Sequence, residues 1–85
     1  MAVAVWKQYK GHEIRWVSGG RGGNYELYLD GNYMQIRCRK TTKGWVIEDY
    51  HRNQNKWEKL FDTYFDTRAQ AMNKTVRDEV NLWYD

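Results

Sequence analysis

The sequence predicts an α+β fold, a single domain over residues 1–85 in which an antiparallel β-sheet meander of four to five strands packs on one C-terminal α-helix. Three observations predict it. Apolar residues alternate by twos through the first sixty positions. Short polar turn segments separate those stretches. Near Phe65 the period lengthens to three and four.

Taken in order, Val3–Tyr9 is a candidate for an additional strand, turning at Lys10-Gly11. In 12–18, Ile14 and Trp16 form one face, and Glu13, Arg15 and Val17 the other. In 24–30, Tyr25, Leu27 and Leu29 oppose Glu26, Tyr28 and Asp30. In 33–40, Met34, Ile36 and Cys38 oppose Gln35, Arg37 and Arg39, and in 44–50, Trp45 and Ile47 oppose Val46, Glu48 and Tyr50. A short strand at 56–61 would hold Trp57 and Phe61.

Asp30-Gly31-Asn32 is a hairpin signal, because these residue types tolerate positive φ. Two registers fit it. A Gly31-Asn32 loop pairs Leu29 with Met34, Leu27 with Ile36 and Glu26 with Arg37; an Asp30-Gly31 loop pairs Leu27 with Met34 and Glu26 with Gln35. The first is favoured, since it sets opposite charges across from each other. Thr41-Thr42-Lys43-Gly44 and Asn53-Gln54-Asn55 supply the next two turns.

In the last twenty residues Ala69, Met72, Val76, Val80 and Trp83 recur as one helical face. Thr67-Arg68-Ala69-Gln70 has the form of a capping box, and Phe65 just before it could anchor the start of the helix.

Composition limits the function classes. An 85-residue chain buries roughly 60–65% of the surface it exposes when unfolded, so its core is thin. Leu, Ile, Val and Phe number only 15, but the 14 aromatic residues can stand in for them. One cysteine excludes an internal disulfide framework, and no apolar run approaches the ~20 residues of a membrane span. The first residues lack a basic leader, so the expected location is the cytoplasm, that of a host cell if the chain is phage-encoded. Residues 1–60 carry eleven Lys/Arg against six Asp/Glu, and residues 61–85 three against five. The sheet is therefore basic and the helix mildly acidic, which permits nucleic-acid contact without requiring it.

Catalysis finds little support. Ser18 abuts a glycine loop rather than a base, and alternation sends Cys38 inward, where a thiol serves packing. His12, His51 and Cys38 lack the spacing of a metal site, and no cofactor is implied. The expectation is a binding protein rather than an enzyme.

Candidate binding residues fall in three groups. Gly19-Gly20-Arg21-Gly22-Gly23 could bring a guanidinium close to a partner's backbone, although a long hairpin connection is the simpler account. Arg37, Arg39, Lys40 and Lys43, with Arg15 and Tyr28 beside them, could offer phosphate contacts and an aromatic platform. Glu13, Glu26, Asp30 and Glu48 share that face, so cross-strand ion pairs explain the basic residues equally well. Outward Tyr28 and Tyr50 are of the type enriched at protein interfaces.

Tyr64-Phe65-Asp66-Thr67-Arg68-Ala69-Gln70-Ala71 resembles the strand-to-helix step of the arm-type DNA-binding domain of phage integrases. That resemblance implies a sheet lying in the major groove, with Arg37 and Arg39 facing it. The aromatic-heavy, lysine- and asparagine-rich chain also looks like small bacteriophage accessory proteins, which implies inhibition of a host protein or protein–nucleic-acid complex such as a defence system. The partner expected is therefore a host protein or such a complex, with direct nucleic-acid binding as the alternative. A homodimer through a sheet edge is also open, and no membrane partner is expected.

Overall fold

The computed structural model describes residues 3–18 and 24–84. Six strands follow one another: β1 (Val3–Tyr9), β2 (His12–Ser18), β3 (Tyr25–Leu29), β4 (Asn32–Thr41), β5 (Gly44–His51) and β6 (Lys56–Lys59). They form one antiparallel sheet in the order β1-β2-β3-β4-β5-β6, and α1 (Arg68–Tyr84) closes one of its faces. The fold is α+β, as expected, and the N-terminal segment completes a sixth strand beyond the four or five anticipated. β6 ends at Lys59, so Phe61 lies outside it and packs against the core from the following segment.

The hairpin between β3 and β4 uses both anticipated registers. At the tip Leu29 pairs with Asn32 and Tyr28 with Tyr33, so the loop is Asp30-Gly31, with φ of 50° and 83°. This is the two-residue turn whose twist suits a hairpin. A bulge follows, with Gln35 at φ 58°, and beyond it Glu26 pairs with Arg37 and Tyr25 with Cys38. The expected Leu29–Met34 pair is therefore replaced, while the expected Glu26–Arg37 pair forms. The pairing slips by two residues, an even number, so every side chain of β4 keeps its face.

The core lies between sheet and helix. Ile14, Trp16, Leu27, Leu29, Ile36, Cys38 and Ile47 from the strands meet Ala71, Met72, Val76 and Val80. Cys38 is fully buried and its thiol is pushed up to about 12 by that burial, which makes it a packing residue. The helix starts as a capping box: the Gln70 N–H donates to Thr67 Oγ1, and the Thr67 N–H donates to Gln70 Oε1, both at 3.2 Å.

Two members of the expected helical stripe are placed differently. Ala69 is exposed, while Ala71 and Thr75 are buried in its stead; the Thr75 hydroxyl is satisfied by donating to the Ala71 carbonyl at 2.7 Å. Trp83 is 63% exposed. Its turn of helix reaches the hairpin end of β3 and β4, where Leu29, Asn32 and Met34 offer only a shallow hollow beneath it. Periodicity continues past the point where the sheet can cover it.

Candidate interaction face on the uncovered side of the sheet

The helix covers one side of the sheet; the opposite side holds most of the residues singled out from the sequence. Register sets them in rows across the strands. Val17, Glu26, Arg37, Glu48 and Lys59 form one row, each paired with the next. Arg15, Tyr28 and Tyr33 form a second, and Tyr50 with Trp57 a third.

The centre of this face is Glu48, only 7% exposed although α1 packs on the other side of the sheet. Arg37 Nε donates to Glu48 Oε1 at 2.8 Å. Arg39 grips the same carboxylate with Nε on Oε1 at 3.0 Å and Nη2 on Oε2 at 3.1 Å. Burial by itself would raise the Glu48 carboxyl, but the hydrogen bonds from Arg39 and Arg37 outweigh it and hold the group below its ordinary value. Arg39 is correspondingly raised by its bond to Glu48. One carboxylate thus holds two guanidinium groups that the sequence offered as phosphate contacts.

Aromatic rings frame this triad. The Arg37 guanidinium lies 4.2 Å from the centroid of Trp57, and Trp57 meets Tyr50 edge-on with centroids 5.3 Å apart. On the β2 side Arg15 stands 5.1 Å from the Tyr28 ring, and Tyr28 is 5.3 Å from Tyr33, whose hydroxyl donates to Glu26. Burial and the Glu26 carboxylate together raise the Tyr33 phenol, so it stays a neutral donor. At the other margin Lys59 and Lys43 approach the Tyr64 ring at 4.3 and 5.7 Å. Val46, paired with Arg39, is 1% exposed beneath this layer. The face is therefore a thin second layer of arginines and aromatics rather than a row of free cations.

Of the sequence candidates, Arg15, Tyr28, Arg37, Arg39 and Tyr50 share this face. Lys40 does not: it has the opposite parity, pairs with Trp45, and leans on that ring at 5.9 Å on the helix side. Lys43 sits in the β4–β5 turn, at the rim. Arg21 and its flanking glycines lie outside the described residues. Sequence reasoning underrated Trp57, Tyr33 and Tyr64. The outward parity of Trp57 follows from its pairing with Tyr50 and depends on the four-residue loop 52–55, where Asn55 adopts φ 54°. Alternation alone could not count across that loop.

A second polar group sits at the hairpin end. Asp30 accepts from the Glu13 N–H at 2.8 Å and lies 2.8 Å from His12 Nδ1, while the His12 ring stacks on Tyr84 at 3.9 Å. The backbone hydrogen bond from Glu13 and the contact with His12 lower the Asp30 carboxyl. This cluster ties the last turn of α1 to the β1–β2 and β3–β4 turns. Among the described residues, no three His, Cys, Asp or Glu side chains could hold a metal ion, and no helix is long and apolar enough to cross a membrane.

No family model, curated protein or solved structure matches the chain.

Proposed function

We propose that this chain is a binding module that recognises a protein surface through the uncovered face of its sheet. One observation carries the reading: Glu48 holds Arg37 and Arg39 together, and aromatic rings surround the neutralised group. Nucleic-acid affinity comes from unpaired cations that displace counterions from phosphates. Here the two central arginines already have a partner, and Tyr28, Tyr33, Tyr50, Trp57 and Tyr64 frame them. Tyr, Trp and Arg are the side chains that dominate protein–protein hot spots, because they bury much area at small entropic cost. Preformed pairs add to this, since little ordering is left to do on docking.

The inhibitory role implied by the resemblance to small phage proteins is compatible with this surface, which would act by covering a partner's working site. The groove-reading role implied by the integrase resemblance would require Arg37 and Arg39 to leave Glu48, exposing a buried carboxylate to phosphate.

The test compares wild-type chain with Tyr33→Ala and Trp57→Ala in affinity capture from bacterial lysate, with and without nuclease, alongside gel-shift assays at several salt concentrations. A captured protein that survives nuclease and is lost in both folded variants supports the reading. A nucleic-acid shift that weakens steeply with salt and persists in both variants overturns it.

A further inference from the structure

On the opposite side of the sheet, the start of α1 and strand β1 enclose a small cavity of about 100 Å³, lined by Lys7, Trp16, Arg68, Ala69, Met72 and Asn73. Two of these residues are cations and none is a carboxylate. Trp16 is 1% exposed, and its indole N–H has no acceptor among the described residues. A buried donor without an acceptor is costly and rare, and an indole nitrogen can only donate.

The two cations at the cavity are donors too. Lys7 Nζ donates to Asn73 Oδ1, which leaves two ammonium protons. Arg68 Nη1 donates to the Tyr25 hydroxyl at 2.6 Å and the guanidinium stacks on that ring at 4.6 Å, which fixes it while leaving its other N–H groups. Arg68 and Ala69 open the helix, where backbone N–H groups lack intrahelical partners and the helix dipole favours negative charge. The first turn contains no acidic residue to answer it. Asp66, just before the helix, lines a different hollow with Tyr64 and Gln70. At roughly 30 Å³ per water, the space fits about three waters or one carboxylate with its adjoining carbon.

We propose that this cavity is a binding site for a carboxylate, which would accept from the Trp16 indole N–H and sit between Lys7 and Arg68 at the start of α1. The carboxylate can come from a small free acid or from an acidic side chain of a bound peptide. The site does not depend on the uncovered face, which lies across the sheet.

Nitrogen-15 NMR of the full chain tests it through the indole N–H signals, with Trp16 identified by the signal missing from Trp16→Phe. Sodium acetate is titrated against sodium chloride at matched ionic strength, and a glutamate-containing peptide forms a second arm. The Trp16 indole proton should move downfield and saturate with acetate but not with chloride. Lys7→Gln and Arg68→Gln should each weaken binding about tenfold or more, the remaining indole signals reporting that the fold persists. Tighter binding of the peptide than of acetate assigns the site to a protein partner, and equal or weaker binding to a free acid. A Trp16 signal that stays in place, or that follows acetate and chloride alike, leaves water as the occupant and overturns the proposal. So does undiminished acetate affinity in both folded variants.

Discussion

Trp45 and Phe65 exchange two backbone hydrogen bonds, N–H to carbonyl in each direction, both at 2.8 Å. This single bridge lies where the chain leaves the sheet and turns to begin the helix. It holds Phe65 against the core and hands Thr67 to its capping role. Gly44 stands beside it at φ 128°, and a Cβ placed there would lie 2.7 Å from the Phe65 carbonyl oxygen.

Gly44→Ala should therefore cost about 2 kcal/mol or more, since the substitution adds a backbone clash to an unfavourable φ. Gly31→Ala is the matched comparison: its φ is 83°, but nothing lies within 4 Å of the added atom. It should cost only about 1–2 kcal/mol. Urea unfolding of the two variants checks the order.

The helix face predicts a sharper contrast. Val76 is buried against the sheet, and Val76→Asp should lower stability by at least about 3 kcal/mol by burying an unpaired charge. Met72→Asp should act alike, from the same stripe. Trp83→Ser, although it removes the largest apolar side chain of the periodic pattern, should stay within about 1 kcal/mol because the ring is mostly solvated. Thermal melts would refute the helix assignment if the first two variants melted like wild type.

Glu48 predicts the acid limb of stability. Its folded carboxyl is held below the ordinary value of 4.5, so the unfolded chain takes up this proton more readily. The stabilisation is complete above the ordinary carboxylate range and is lost as pH falls through the depressed value. Glu48→Gln should cost about 2 kcal/mol at neutral pH, where the two arginines lose the negative charge they share and the amide nitrogen that replaces one carboxylate oxygen cannot accept from Arg39. The difference from wild type should shrink on acidification, and melting curves across the acid range would show whether the two converge.

Much of this was legible in the residues. Alternation by twos assigned the inward faces of β2 to β5, because a half-covered sheet demands that period wherever the backbone stays regular. The Thr67–Gln70 box marked the helix start, since capping is local chemistry between residues three apart. The two turn signals around Asp30 and Gly31 were equally local, and for the same reason they left the register undecided: the bulge at Gln35 lets one hairpin use both. The outward basic residues were also legible, but not their state.

Tertiary structure alone decided what those residues do. Whether Arg37 and Arg39 are free or joined on Glu48 depends on which positions of β4 and β5 fall opposite one another, a matter of register that composition does not carry. Likewise Trp83 obeys the helical period yet stays mostly exposed over a shallow hollow at the β3–β4 hairpin end, while Trp16 lines one cavity with Lys7, nine residues before it, and Arg68, fifty-two residues after it. Sequence fixes periodicity, caps and turns because these are interactions between near neighbours. Partnerships between distant side chains wait on the one packing arrangement in which they come within reach.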